Sequence, residues 1–373
     1  MVKQKAFKFL MKPTNEQIVM LSKTFGCVRF IYNKMLEDRI KAYEETGKSK
    51  RSTPAPYKAE YGFLKEVDSL ALCNAQLHLE AAFNNFYRDK EVGFPKWKKR
   101  HGSKKSYTTN CVNNNIQIKD GFLKLPKVGM VKIKCHRNIP DSYKLKSVTI
   151  TQKASGKFEA SILYEYELEI YIYRAEKCIG LDYSQKELFV DSEGNSPQYP
   201  HYFRQMEEKI SREKRKLSKM QQKSSNWCKQ KQKVARMEEK VKNQRNDFLQ
   251  ALPAIRCKLS TQIANEYDVV CVEDINLHNL SQTLHLGKNL CDNGFGRFRE
   301  FLLYKLEERG KQLVKIDKWY ASSKLCSHCG AYNESLKLND RVYRCPHCGA
   351  IMDRDHNAAM NIQRKGYESI YVY

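Results

Sequence analysis

The sequence predicts a multidomain protein of mixed α/β and β architecture. Three observations predict it. Residues 15–90 carry apolar residues at helical spacing, residues 112–173 alternate apolar and polar, and two short apolar runs beyond residue 175 end in acids. At 373 residues, the length suits two or three domains.

The opening "KQKAFKFLMKPTNEQ" reads as a short strand ending at Pro13, followed by a helix. Thr14 is the expected cap, with Gln17 three residues on. "EVDSLALCNAQLHLEAAFNNFY" continues the helical pattern without internal Gly or Pro. It gives way to "EVGFPKWKKRHGSKKSY", a loop in which Lys96, Trp97, Lys98, Lys99, Arg100, Lys104 and Lys105 stand among Phe94 and Tyr107. Such cations would meet phosphates, and such rings would stack on bases or riboses.

"IQIKDGFLKL" alternates around an Asp-Gly turn, a hairpin signal, and "KSVTITQKASGKFEASILYEYE" repeats the pattern around Ser-Gly. A small antiparallel barrel or sheet is expected there. From residue 203 the pattern turns helical again. Met206, Ile210 and Leu217 begin a stripe that Met220, Trp227, Val234, Val241 and Phe248 continue at intervals of seven, among Lys, Arg, Glu and Gln. This is one long charged helix, or two packed back to back with "QQKSSN" as the bend.

Three separated acidic positions carry the candidate chemistry. "KCIGLDYSQKELFVD" is an apolar strand bearing Asp182, with a second strand behind it. "NEYDVVCVEDINL" is an apolar, β-rich run that reads as a strand buried on both faces and ends in Glu273 and Asp274. "DRDHNAAMNI" opens a helix behind Asp353 and Asp355, and the residues alone leave open which of these two matters. Two strand ends and a helix start would hold carboxylates rigidly enough for two Mg²⁺ ions about 3.5–4 Å apart, the requirement of a two-metal nuclease. Mn²⁺ could take their place.

Cys326, Cys329, Cys345 and Cys348 form C-x2-C-x15-C-x2-C, the spacing of two knuckles that close a tetrahedral Zn²⁺ site. Four thiolates leave no open position, so the metal's expected role is structural, with His328 and His347 as bystanders. Nine further cysteines are scattered singly, a distribution suited to a reducing cytosol.

Charge points to the partner. Lys and Arg number 67 against 42 Asp and Glu, a net charge of +25. A polyanion is expected, nucleic acid first. No segment approaches the roughly 20 apolar residues of a membrane span, and the amino terminus lacks the apolar core of a signal peptide. A cytoplasmic, nucleoid-associated protein without membrane contact is expected.

"IGLDYS", "VVCVEDINL", "CSHCG…CPHCG" and "DRDHNAAMNI" occur in the order found in the TnpB family of transposon-encoded RNA-guided nucleases, which the chain resembles. "KTFGCVRFIYNKML", "GFPKWKKR" and "NQRNDFLQ" resemble further segments of that family, so the likeness covers nearly the whole chain. The resemblance implies a split RuvC-like nuclease domain of ribonuclease H-like fold over residues 175–373, with a helical segment at 203–252 and a zinc ribbon at 322–352. It implies a wedge-like β-barrel from 1–12 and 111–174, with a helical recognition insertion at 13–110. It makes Asp182, Glu273 and Asp355 the catalytic Mg²⁺ ligands, with Asp353 a neighbour. A guide RNA and a double-stranded DNA target beside a short flanking motif become the expected partners of a monomer. A guide-free nuclease or transposase, a catalytically silent RNA-guided repressor and a compact type V CRISPR effector are the alternatives.

Overall fold

The computed structural model describes residues 1–49, 51–100, 104–169, 175–184, 186–250, 259–275, 294–337 and 339–371. The chain divides into two compact units, Met1–Leu168 and Glu169–Tyr373.

The first unit opens with β1 (Val2–Lys12) and α1 (Asn15–Thr46). Thr14 caps α1 as expected: its hydroxyl accepts from Gln17 N–H at 3.3 Å, and the Gln17 side chain accepts from Thr14 N–H at 3.0 Å. After α2 (Pro54–Glu60), Asp68 caps α3 (Ser69–Arg88). The apolar faces of α1 and α3 bury Leu21, Phe25, Ile31, Met35, Leu72, Leu79 and Phe83, which gives these helices most of their stability.

Seven strands complete this unit: β1, β2 (Lys105–Asn110), β3 (Gln117–Lys119), β4 (Phe122–Leu125), β5 (Gly129–Lys134), β6 (Lys144–Gln152) and β7 (Phe158–Glu167). Their order is β2–β6–β7–β1–β5–β4–β3, antiparallel throughout. Among the described residues no ladder joins β2 to β3, so the hydrogen-bonded order is open rather than that of a closed barrel. Asp120 and Gly121 adopt positive φ (51° and 77°), the geometry of the expected tight hairpin. One boundary needs correction. Residues 105–110, placed with the helical insertion, form β2 and pair along their length with β6. The alternation that buries Tyr107 and Thr109 is short and sits among lysines, which hid it.

The second unit is built on a four-stranded sheet ordered β11–β10–β8–β9. These are β8 (Cys178–Ser184), β9 (Leu188–Asp191), β10 (Val269–Glu273) and β11 (Gln312–Ile316). β9 runs antiparallel to β8, while β10 lies parallel between β8 and β11. Val269 to Val272 are buried, as a central parallel strand requires. The charged region resolves into two helices, α4 (Tyr202–Ser218) and α5 (Ser225–Gln250). Ser224 accepts from Trp227 N–H at 3.1 Å at the bend. The stripe faces inward at Ile210, Val234 and Val241. Residues 251 and 252 of the expected 203–252 segment lie outside the described residues. α6 (Leu259–Glu266) and α7 (Phe295–Glu307) cover one face of the sheet region through Phe295, Phe298 and Leu302. A hairpin of β12 (Val342–Arg344) and β13 (Ile351–Asp353) leads into α8 (Arg354–Tyr371). Among the described residues no helix is long and apolar enough to cross a membrane.

Candidate active site

The helix α8 acts as a ruler against β8. Four helical residues advance about 6 Å and two strand residues about 6.6 Å, so a helix antiparallel to a strand can match it four residues to two. Gln363 donates from its side chain to the Cys178 carbonyl at 2.6 Å. One turn earlier, Ala359 lies over Gly180, where an added Cβ would sit 2.1 Å from the Ala359 carbonyl oxygen. One further turn earlier is Asp355, and two strand residues further is Asp182. The same close approach recurs where Gly366 meets Cys271, whose Sγ would lie 2.2 Å from an added Cβ. Leu181 pairs with Val272 at the last step of the parallel ladder, so Asp182 and Glu273 follow it side by side on adjacent strands. Strand periodicity puts both on the face covered by α8.

Glu273 and Asp355 both lie close enough for their charges to act on Asp182. Burial pushes Asp182 well above the usual carboxylate range, the charges of Glu273 and Asp355 push it further, and Arg354 pulls it back. Burial also raises Glu273, while the hydroxyl of Ser322, donating to Glu273 Oε1 at 2.8 Å, lowers it. Asp355 is held by cations. Arg354 donates from Nε and Nη2 to Oδ1 at 3.1 and 2.9 Å, and Arg341 stands 3.6 Å from Oδ2. A donor set of oxygens alone, with repulsion between acids that Arg354 only partly offsets, fits hard divalent cations.

Asp353 has a different position. It is exposed, and its Oδ1 accepts from the backbone N–H groups of Asp355 and His356 at 2.9 and 3.0 Å. It is the cap of α8, while Asp355, one residue into the helix, faces Asp182.

The four cysteines converge as their spacing requires. Their sulfur atoms all lie within 4.8 Å of one another, with Cys326–Cys348 at 3.7 Å and Cys329–Cys345 at 3.5 Å. Among the described residues this is the one group of three or more His, Cys, Asp or Glu ligands that compact. The backbone N–H groups of His347 and Cys348 donate to Cys345 Sγ, each at 3.4 Å, which favours thiolate and holds Cys345 at about 6. Neither knuckle histidine belongs to the cluster. The quartet fits a zinc ribbon.

Several side chains that bind the two sites together escaped the reading of the sequence. Asn357 and Asn361 are buried one turn apart on α8. Asn357 donates to the Leu325 carbonyl at 2.7 Å and accepts from Ser327 N–H at 2.9 Å. Asn361 donates to the carbonyls of Ser322 and Leu325 at 2.8 and 2.7 Å. The segment holding both Ser322 and the first knuckle is thereby fixed to the helix holding Asp355. Arg299 on α7 donates to the carbonyls of Glu273 and Ile275, each at 3.3 Å, and steadies the end of β10. The paired Asn at i and i+4 in "NAAMN" was the available signal for the first two. Arg299 had none.

The basic loop lies in the first unit. Lys96, Trp97, Lys99, Arg100, Lys104 and Lys105 are exposed. Lys98 is turned inward, its ammonium 3.8 Å over the Tyr32 ring and its pKa lowered by burial. Asn33 clamps the Lys98 backbone by exchanging bonds of 2.9 and 3.0 Å with its N–H and carbonyl. Arg29, Lys98, Lys99, Arg100, Lys104 and Lys105 line a cavity of about 690 Å³ with no carboxylate in its wall.

Residues 295–362 match the Cas12f1-like TNB domain family, residues 161–284 a family described as a probable transposase, and residues 1–48 a helix-turn-helix domain family. In this chain the last range holds one strand and one helix. A relative from Streptomyces pristinaespiralis, named "Putative RNA-guided DNA endonuclease", is 34% identical over 375 residues, covering 97% of this chain and 89% of its own. A protein of the same description from Escherichia coli (strain K12), InsQ, is 27% identical over 389 residues, covering 98% and 93%. The cryo-EM structure of a Cas12f1-sgRNA-target DNA complex contains a chain of the same fold at a TM-score of 0.59 and 12% identity, covering 97% of this chain and 99% of that one. The chain thus has a mixed α/β multidomain fold resembling that of Cas12f1, with a four-cysteine cluster near its carboxyl end. The chain belongs to the TnpB family.

Proposed function

We propose that the protein is an RNA-guided DNA endonuclease that hydrolyses phosphodiester bonds at Asp182, Glu273 and Asp355. The observation that carries this reading is that three half-buried carboxylates, from two adjacent parallel strands and one helix start, lie within reach of one another's charge around Asp182. It occurs in a chain that matches a relative of that name over nearly its full length. On this reading the second unit is a RuvC-like domain of ribonuclease H-like fold, and the first supplies the wedge and recognition elements.

Asp182, Glu273 and Asp355 would hold two Mg²⁺ ions, and the cysteine quartet one structural Zn²⁺. Bound divalent ions would supply an activated water and neutralise the leaving oxygen. The chain's own residues do the rest. Ser322 fixes the orientation of Glu273, and Arg299 fixes the strand end that carries it. Arg354 and Arg341 hold Asp355 in place before cations arrive. Guide pairing would supply sequence specificity. Lys96, Lys99, Arg100, Lys104 and Lys105 would contact nucleic-acid backbone, with steep salt dependence, and Trp97 would stack on a base or ribose, whereas Lys98 is taken up by the Tyr32 ring.

The test is purification followed by extraction of bound RNA and assay of matching DNA with Mg²⁺. A defined RNA and guide-dependent cutting are expected. RNA-independent cutting would identify a guide-free nuclease, and target binding without cutting a silent repressor.

A further inference from the structure

The connection from β11 to the cysteine quartet leaves Glu273 and returns to it. Ile316 pairs with Glu273 in the ladder, and Asp274 N–H donates to the Ile316 carbonyl at 3.2 Å. Ser322 then donates to the Glu273 carboxylate. Between these anchors stands Trp319, three residues from each, so its Cα lies within about 11 Å of both. It is 81% exposed, more than any other large apolar side chain described. The turn that carries it is pinned. Trp319 N–H donates to Asp317 Oδ1 at 2.7 Å, Tyr320 N–H to the Asp317 carbonyl at 3.1 Å, and Ser322 N–H to the Tyr320 carbonyl at 2.8 Å.

Among the described residues Trp319 stacks on no other ring, and the Lys318 ammonium lies 4.9 Å from its centroid. A cavity of about 440 Å³ adjoins it, lined by Lys315, Tyr320 and Lys365 among others. Lys315 and Lys365 hold Asp274 and Glu368 at 3.3 and 3.9 Å, in exposed pairs of the weak kind that phosphate can displace. An indole in water on a pinned turn, with Lys315, Lys318 and Lys365 nearby and the turn anchored at both ends to Glu273, has the composition of a single-strand platform.

We propose that Trp319 stacks on an unpaired base of single-stranded DNA beside the scissile phosphate, with Lys315, Lys318 and Lys365 meeting the adjoining backbone. The inference rests on the nuclease reading above and deepens it. Only an unpaired strand offers the indole a free base face, so Trp319 selects single strand at the cut.

The experiment compares the full-length wild type, Trp319→Ala and Trp319→Phe, loaded with guide. The probe is single-stranded DNA carrying 2-aminopurine at successive positions near the cut. The wild type is expected to quench the probe at one position. Trp319→Ala should lose that quenching and raise KM about 10–100-fold, the range stacking on one base supplies, with kcat changed far less. Trp319→Phe should keep the quenching, and the exposed position should leave thermal melts unchanged. Wild-type quenching and KM in Trp319→Ala would overturn the inference, as would a fall in melting temperature in both variants with equal loss of KM. A wild type that quenches but does not cut would overturn the nuclease reading and keep the platform. One that cuts, with Trp319→Ala indistinguishable from it, overturns the platform alone. A wild type that neither quenches nor cuts overturns both.

Discussion

The cysteine quartet and the acidic cluster lie at opposite ends of one helix connection and are assembled in opposite ways. The quartet is local: two turns, a short hairpin and backbone N–H groups aimed at Cys345 bring four sulfurs together within residues 326–348. The acids are distant in sequence and meet only because β8, β10 and α8 pack in one register. A local site survives small shifts elsewhere, whereas an assembled one depends on every contact that sets the register. Asn357 and Asn361 couple the two by tying the first knuckle to α8.

The largest expected effect separates the two aspartates at the junction. Asp355→Ala should lower cleavage by about 10³-fold or more while leaving target binding largely intact. Asp353→Ala should keep appreciable cleavage and lose about 1 kcal/mol of stability with its cap. Paired cleavage assays and melts check this, and reversed outcomes would exchange the roles. Next is the quartet. Cys345→Ser should abolish stoichiometric zinc, read by metal analysis, and lower the melting temperature by about 2–4 °C for each kcal/mol lost. Its activity should fall with the fold, since the ribbon positions Ser322. A well-folded, fully active variant would break the proposed coupling.

Gly180→Ala tests the ruler. Its methyl would meet the backbone of α8 at Ala359, where nothing flexible can yield. A loss of roughly 1–3 kcal/mol is expected, with a larger proportional loss of cleavage than of target binding, because Asp355 shifts relative to Asp182. Equal losses of cleavage and binding would argue for general unfolding.

The smallest effect concerns pH. In metal-free protein Asp182 and Glu273 have folded values above their unfolded ones. From about pH 4 up to those raised values the folded state binds more protons than the unfolded, so stability falls as pH rises through that window. Asp182→Asn removes part of this penalty. At about pH 8 without divalent cations it should melt above wild type, with the difference shrinking toward pH 4. A variant that melts lower at both ends would contradict that repulsion.

Much of this was legible in the sequence because the deciding interactions are short-range. Thr14 and Gln17 cap a helix through atoms three residues apart. Asp120-Gly121 closes a hairpin on its own backbone preference. The cysteine spacing defines two knuckles wherever it occurs. Other features were hidden because their signal is a single residue whose partner is remote. Lys105–Asn110 became a strand only through β6. Arg299 carries no local mark, and its two acceptors lie on another element.

The sequence by itself marked most of the elements, the cysteine site and the candidate acidic positions, since periodicity, turn chemistry and ligand spacing act within a few residues. It left Asp353 and Asp355 undivided on their chemistry, and resemblance alone chose between them. Only the tertiary structure separated their positions. The register of α8 against β8, permitted by the missing side chains of Gly180 and Gly366, turns Asp355 toward Asp182 and leaves Asp353 to cap the helix. That register is a property of two packed surfaces, and no single segment contains it.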